Sequence, residues 1–182
     1  MTAISIVRGR VARPRRELRR GLWLLPAAFA LHVLEESAGF TEWVRRNGRA
    51  DYSMDDFVQI NATGLVLTIG ATLAVARRPG RGLFAAYYAL LVTQQALFNP
   101  LFHVGSTVAY RDWSPGTASA VVLFPPLWWR LTRRALRDRM LGVGGMSVGI
   151  AVGGAVHAAA VANQVFGLSL SPGQRGNGRG AE

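Results

Sequence analysis

Long apolar runs without a single charged side chain constrain this chain more than any other feature. Residues 57–76, 83–108 and 140–168 contain no aspartate, glutamate, lysine or arginine. A helix needs about 20 apolar residues to cross the hydrocarbon layer of a bilayer, and each of these runs reaches that length. The pattern therefore predicts helices that span a membrane.

Two further apolar segments extend the pattern. Residues 21–40 follow a basic N-terminus, and residues 116–129 form a shorter run with Pro125 and Pro126 near its end. The shorter run can reach the interface through Trp128 and Trp129, because amphipathic rings favour the headgroup level. We therefore predict an all-α integral membrane bundle of about five transmembrane helices within residues 21–168.

The basic residues set the expected orientation of this bundle. All 21 are arginines, and the formal net charge is +11. Most of them precede residue 21 or fall in residues 77–81 and 130–139, which would all lie on one side of the membrane. Because cytoplasmic loops carry an excess of basic residues, we predict an N-in/C-out topology. Topology and anionic lipid headgroups account for the arginines, so we expect no nucleic-acid partner.

The segments outside the apolar runs are simpler. Residues 1–20 are expected to form a basic cytoplasmic segment, and residues 169–182 a disordered tail rich in serine, glycine and arginine. The chain contains no cysteine. This excludes disulfides, thiolate metal ligands and cysteine nucleophiles.

Five ionisable side chains lie inside the predicted spans. They are His32, Glu35, Glu36, His103 and His157, and they include every histidine of the chain. A charge at the centre of a spanning helix costs at least about 2.5–3.5 kcal/mol, so such residues usually face the bundle interior and serve a function. Within the first span, His32, Glu35 and Glu36 stand at i, i+3 and i+4, so the imidazole shares a face with at least one carboxylate.

Regular spacing also organises the third and fifth spans. Gln95, Asn99 and His103 repeat every four residues and form one polar stripe. In the fifth span, glycines at the same interval lead to His157, and small residues at this spacing mark a face that packs closely against another helix. We expect both faces to point into the bundle.

The polar groups of four spans fall at similar depth, at or beyond the midplane toward the outer leaflet. Imidazoles and carboxylates together suit Zn²⁺, Fe²⁺ or Mn²⁺. The predicted ligands of this divalent metal are His32, Glu35, Glu36, His103 and His157, and the predicted supporting hydrogen-bond partners are Asn61, Gln95 and Asn99. We predict that Glu35 and Glu36 also supply the catalytic group, since a glutamate free of the metal could act as a general base on bound water.

The residue order from His32 to Glu36 is H-x-x-E-E rather than the H-E-x-x-H of zinc metalloproteases. It resembles the defining motif of the HXXEE family, small bacterial multi-span proteins whose biochemical role is unassigned. The resemblance implies a multi-pass protein of the bacterial cytoplasmic (inner) membrane, with His32, Glu35 and Glu36 as site residues. It implies no activity.

Together these features predict a metal-dependent membrane enzyme that acts on a lipid-like substrate from the outer half of the bilayer. Three alternatives stay open. The first is a metal-free acid–base isomerase or cyclase on a hydrophobic substrate, because a carboxylic acid in an apolar bundle can serve as a general acid. The others are an ion or proton transporter and a non-catalytic membrane scaffold. The glycine-rich fifth span equally suits a homodimer.

Overall fold

The computed structural model describes residues 16–168, and that part of the chain is helical with no strand. The α-helices are α1 (Arg16–Leu22), α2 (Leu24–Glu36), α3 (Phe40–Asn47), α4 (Met54–Arg77), α5 (Arg81–Tyr87), α6 (Asn99–Tyr110), α7 (Thr117–Arg137) and α8 (Val143–Gln164). Two π-helical segments, Tyr88–Val92 and Gln94–Phe98, lie between α5 and α6. The predicted tail at 169–182 and most of the predicted basic segment at 1–20 lie outside the described residues.

These elements form five long helical rods and one short helix, α3. Only Trp23 separates α1 from α2, and the helical backbone continues from α5 through both π segments into α6. The other rods are α4, α7 and α8. Each of the five predicted apolar segments coincides with one rod, which confirms the all-α prediction. The short helix α3 has no counterpart among the predicted segments. The helix α7 is longer than predicted, because it continues beyond residue 129 through the arginine-rich segment to Arg137.

Two of the rods have the character of membrane helices. As uninterrupted helices, α4 and α8 are long and apolar enough to cross a bilayer. Only 17% of the most apolar stretch of each is buried, whereas the core helix of a soluble protein is mostly buried. Other rods also expose large apolar side chains, such as Leu34 and Val122. Broad apolar exposure suggests membrane association; that all five rods span the bilayer stays a prediction.

The main core lies between α1, α2, α7 and the rod that contains the π segments. Its largest fully buried side chains include Leu18, Leu22, Leu25, Phe84, Tyr88, Phe124 and Leu131. Two pairs of buried hydroxyls lie within the bundle: the Tyr88 hydroxyl lies 3.0 Å from that of Thr132, and the Tyr87 hydroxyl lies 3.0 Å from that of Thr72. Paired hydroxyls add little cost to an apolar core.

The glycine face of α8 packs against the π segments, as the spacing predicts. A Cβ atom on Gly149 would lie 2.8 Å from the Tyr88 ring, and one on Gly153 would overlap Thr93. The Thr93 hydroxyl lies 2.8 Å from the carbonyl oxygen of Ala89 and 3.1 Å from that of Gly149. Only glycine permits this approach of the two backbones.

The two ends of the bundle differ in charge. At one end, Glu17 of α1 pairs with Arg137 of α7 at 3.2 Å, and Ala76 near the end of α4 lines a pocket together with arginines of α1. At the other end, α3 and the α6–α7 loop meet through an ion pair of 2.9 Å between Arg46 and Asp112. The predicted topology places this basic end in the cytoplasm, and that orientation stays a prediction.

Candidate functional site

Three of the predicted site residues meet at the end of the bundle remote from the arginine cluster. The Glu36 Oε1 atom lies 3.4 Å from His32 Nε2 and 3.2 Å from His103 Nε2. All three ligand atoms lie within 4.8 Å of one another. We refer to His32, Glu36 and His103 as the His–Glu–His group.

Two rods bring this group together. His32 and Glu36 lie one turn apart on α2, and Glu36 is the last residue of that helix. His103 lies in α6, with its ring 4.9 Å from the His32 ring in an edge-to-face arrangement. The exposed fractions of His32, Glu36 and His103 are 1%, 6% and 0%. A carboxylate buried this deeply needs polar partners, and the two imidazoles are its nearest ones.

Each of the two imidazoles contacts a serine hydroxyl through its Nδ1 atom. His32 Nδ1 lies 2.9 Å from Ser119 Oγ, and His103 Nδ1 lies 2.9 Å from Ser114 Oγ. Ser119 Oγ also donates to the carbonyl oxygen of Gly116 at 3.2 Å, so it accepts the Nδ1 proton of His32. With its proton on Nδ1, His32 carries a lone pair on Nε2, which accepts a hydrogen bond from Asn99 Nδ2 at 2.8 Å.

Gly116 closes the group on the side of the α6–α7 loop. Its φ angle of 98° is one that residues with a side chain rarely adopt. A Cβ atom there would lie 2.8 Å from Glu36, 2.8 Å from His32 and 2.9 Å from His103. Gly116 therefore contacts every member of the group and leaves no space for a larger residue.

The structure places Glu35 outside this group. One of its carboxylate oxygens accepts from the backbone N–H of Ala118 at 3.1 Å, and the other from that of Ser119 at 2.7 Å. These amides belong to the first turn of α7, whose own N-cap, Gly116, supplies no side-chain hydrogen bond. Glu35 thus acts as the cap of a neighbouring helix, where the helix dipole also favours a negative charge.

His157 is buried nearby but is not brought into the group. Its Nδ1 atom lies 3.5 Å from Gln94 Nε2, and its ring contacts Phe98 and Phe102. Its Nε2 atom has no hydrogen-bond partner among the described residues. His157 lines the same cavity as His32 and Glu36, one helix away from the group.

The three predicted supporting residues have distinct partners. Asn99 Nδ2 donates to His32 Nε2 at 2.8 Å, which links the polar stripe of the third rod to the group. Gln95 Nε2 donates to Thr68 Oγ1 at 2.7 Å and joins that rod to α4. Asn61 Nδ2 donates to its own helix, to the carbonyl oxygen of Phe57. Only Asn99 contacts a member of the group directly.

An internal cavity of about 240 Å³ opens beside the group. His32 and Glu36 form part of its wall, and most of the remaining lining is apolar, with side chains from α2, α4, the π segments, α6 and α8. Although α4 and α8 both line the cavity, they make little direct contact with each other. The cavity offers an apolar compartment with a polar end at the His–Glu–His group.

Sequence reasoning did not find four residues around the site. Ser114, Gly116 and Ser119 come from the α6–α7 loop and the first turn of α7, and Tyr52, beside Glu36 in the cavity wall, precedes α4. None lies on a periodic stripe. The Ser114-Pro115-Gly116 turn before an apolar run is the one local signal that could have drawn attention to this loop.

The geometry of the group suits a metal ion. Bonds of about 2.0–2.1 Å at tetrahedral angles place neighbouring ligand atoms about 3.3 Å apart. The two distances to Glu36 Oε1, 3.2 Å and 3.4 Å, agree with that spacing. In addition, apart from the Glu36 carboxylate at 3.2 Å, the buried His103 Nε2 atom has no polar partner among the described residues. A His-His-Glu group that could hold a metal is therefore present.

Comparison with known proteins identifies the motif around which this site is built. Residues 23–131 match the family described as "Protein of unknown function with HXXEE motif". The chain belongs to the HXXEE family. The matched region contains the whole His–Glu–His group as well as Glu35, Gly116 and both serines. No curated protein and no solved structure matches the chain.

Proposed function

We propose that this HXXEE protein is a multi-pass inner-membrane enzyme that uses a divalent metal to act on a lipid-like substrate. The observation that carries the proposal is the convergence of His32, Glu36 and His103 on one point in an otherwise apolar bundle. Ionisable groups within a membrane usually persist because they have a function.

The arrangement of the imidazoles supports metal binding. Ligating histidines commonly use their second ring nitrogen for an outer hydrogen bond that fixes the ring. Ser119 and Ser114 occupy that position for His32 and His103. The Nε2 atoms of both rings, together with the Glu36 carboxylate, would hold the ion, which would polarise a substrate oxygen or activate water. Zn²⁺, Fe²⁺ and Mn²⁺ all accept this set of ligands.

The surroundings suggest roles for the neighbouring residues. Glu35 is engaged with the first turn of α7, so we assign it a positioning role and assign metal binding to Glu36. Tyr52 lies in the loop before α4 and lines the cavity together with Glu36. Burial and the negative charge of Glu36 raise the pKa of Tyr52 to about 12. Its phenol therefore keeps its proton at neutral pH and could donate a hydrogen bond to a substrate.

The cavity supports a hydrophobic substrate. Leu67 and Leu90 line it and are nevertheless 61% and 49% exposed on the outside of the bundle. A molecule dissolved in the bilayer could therefore enter sideways near α4 without crossing water. Ligand sites are typically apolar cavities with a few polar groups at one end, as here.

Metal analysis of the purified protein tests this proposal. We expect the full chain, purified in detergent without chelator, to contain about one equivalent of a divalent metal. The variants His32→Ala, His103→Ala and Glu36→Gln should each lose most of it, because three protein ligands form the minimal site.

His157→Ala is the matched control. It removes a buried histidine from the same cavity but outside the group, so its metal content should equal that of the wild type. Metal well below one equivalent in the wild type, or equal loss in His157→Ala and His103→Ala, would contradict the proposed ligand set.

One observation favours a second candidate, metal-free acid–base chemistry. Asn99 Nδ2 donates to His32 Nε2 at 2.8 Å and so occupies the lone pair that a metal would need. Without a metal, Glu36 and His103 could share a proton across 3.2 Å and pass it to a hydrophobic substrate. Chelation separates the two candidates, because acid–base chemistry would survive removal of all metal, and Asn99→Ala would then lower activity rather than raise metal affinity.

A further inference from the structure

A surface groove between α2 and α7 leads from apolar residues to arginines. Its apolar part, of about 320 Å³, is lined mainly by Leu24, Ala27, Leu31, Leu123, Pro126 and Leu127, and it ends at Arg130. A second pocket of about 380 Å³ shares Leu24 and Arg130 with the first and adds Glu17, Arg20 and Arg134. The two form one continuous surface, apolar toward the middle of the bundle and basic at its end.

The arginines of this surface differ in whether they are paired. Arg134 and Arg137 both approach Glu17 Oε2, at 3.7 Å and 3.2 Å, and neutralise it. Within residues 16–168, neither Arg20 nor Arg130 makes an ion pair. The basic pocket therefore retains two guanidinium groups available to an anion, and planar guanidinium groups bind phosphate in bidentate fashion.

Two tryptophans mark the depth at which the surface changes character. Trp23 precedes Leu24, Trp129 precedes Arg130, and both are exposed, by 42% and 59%. Tryptophan rings favour the interface between acyl chains and headgroups. The boundary between the apolar groove and the basic pocket thus falls where a lipid changes from acyl chain to phosphate.

We propose that this surface binds one anionic phospholipid from the leaflet at the basic end. Arg20 and Arg130 contact its phosphate, and the first part of an acyl chain lies in the groove between α2 and α7. From Leu24 to Leu31, α2 rises by about 10 Å, which is the length of chain that the groove covers. The site is separate from the His–Glu–His group and depends only on the membrane insertion in the proposed function.

Lipid binding to the purified full chain tests this inference. Binding of phosphatidylglycerol and of phosphatidylcholine with identical acyl chains would be measured by native mass spectrometry from a neutral detergent. We expect phosphatidylglycerol to bind as one tightly held molecule. Arg20→Gln and Arg130→Gln should each weaken it about fivefold. Ala27→Trp, which fills the groove and leaves the charges intact, should weaken it as well.

Arg81→Gln is the matched control. It removes the same charge from the same end of the bundle but lies outside the groove, so phosphatidylglycerol binding should not change. Equal loss in Arg81→Gln and Arg130→Gln would reveal general electrostatic attraction and overturn the inference, as would equal binding of phosphatidylcholine. Metal content measured on the same samples keeps this outcome separate from that of the proposed enzyme site.

Discussion

Gly116 is the residue on which the packing of the candidate site depends most directly. Replacing it with alanine should destabilise the protein, because the left-handed backbone alone costs an ordinary residue about 1–2 kcal/mol. The new Cβ would also come within 3.0 Å of all three members of the His–Glu–His group. We expect a lower thermal unfolding temperature in detergent together with reduced metal content.

Gly144→Ala provides the comparison for this prediction. Gly144 lies in α8, and a Cβ there would meet nothing within 4 Å. The variant should be neutral or slightly stabilising, since alanine favours a helix more than glycine does. If both alanine variants behave like the wild type, the close approach at Gly116 does not exist in the folded protein.

Asp112 makes the stability of the α6–α7 loop depend on pH. Hydrogen bonds from Arg46 and Asn47 lower the pKa of its carboxyl group below the usual value. A lowered pKa stabilises the folded state above the unfolded-state pKa of about 3.9, and the contribution is lost as the pH falls through the folded-state value.

The wild type should therefore unfold at a higher temperature than Asp112→Asn at pH 6, and the difference should disappear as the pH falls well below 4. Thermal unfolding in detergent across this range checks the prediction. A difference that stays constant with pH would mean that the charge of Asp112 plays no part in holding the loop.

At the scale of single residues, the sequence identified the members of the group but could not choose between neighbours. Glu35 and Glu36 differ by about 100° around α2, and only the position of α7 decides which carboxylate turns toward His103. Ser114 and Gly116 gave no periodic signal because a turn positions them, and Ser119 follows in the first turn of α7. His157 follows the glycine face as predicted, yet that face leads into the cavity and not to the group.

Among the helices, α7 depends on a residue from another element. Glu35→Ala should destabilise the protein by about 1–2 kcal/mol, because the first amides of α7 would lose both acceptors and their favourable charge. Since α7 also carries Ser119, we expect metal affinity to fall roughly tenfold rather than to vanish, as for other outer contacts of metal ligands. Glu35→Gln keeps one hydrogen-bond acceptor but loses the charge, so its stability and metal affinity should lie between those of the wild type and of Glu35→Ala.

Glu42→Ala is the control for Glu35, because Glu42 is an exposed glutamate whose one ion pair within residues 16–168 is with exposed Arg45. Such a pair contributes about 0–1 kcal/mol, so neither stability nor metal affinity should change appreciably. Titration of metal into stripped protein, with thermal unfolding of the same samples, measures both quantities. Complete loss of metal from Glu35→Ala would instead make Glu35 a ligand.

The apolar runs predicted the rods, because the length and hydropathy of a helix can be read from one continuous stretch of sequence. The short helix α3 was missed because it does not form an apolar run. Its buried residues Phe40, Trp43 and Val44 alternate with charged residues in the sequence. The π segments were also missed. They flank Thr93, which lies against Gly153 where the two backbones come together. That contact is tertiary and leaves no local mark in the sequence.

For the molecule as a whole, the predicted N-in/C-out topology has a direct test. The chain has no cysteine, so single-cysteine variants need no background replacement. A membrane-impermeant thiol reagent added to intact cells should label Asp51→Cys, which lies before α4 at the end carrying the candidate site. The same reagent should not label Gly80→Cys, which lies between α4 and α5, until the membrane is permeabilised.

The two variants are controls for each other, because in intact cells the reagent is expected to label Asp51→Cys and not Gly80→Cys. Labelling of Gly80→Cys alone in intact cells would invert the topology. Labelling of both would show that α4 does not separate two compartments. The sequence did not predict how the rods are arranged around one another. Successive spans run in opposite directions, which tells which helix ends lie on the same side of the membrane but not which helices are neighbours.

The paired π segments carry a consequence for insertions and deletions. Each residue advances a helix by about 100°, so the wide turns between Tyr88 and Phe98 set the rotation of everything that follows on that rod. Removing Leu97 would let one wide turn relax to an ordinary helix and leave Asn99 and His103 close to their present orientation, whereas removing Leu101 from α6 would rotate His103 by about 100° away from α2, although no ligand had been altered. Metal content should then fall as far as in His103→Ala. In α6 the number of residues therefore matters as much as their identity, because adding or removing one residue rotates every side chain that follows it.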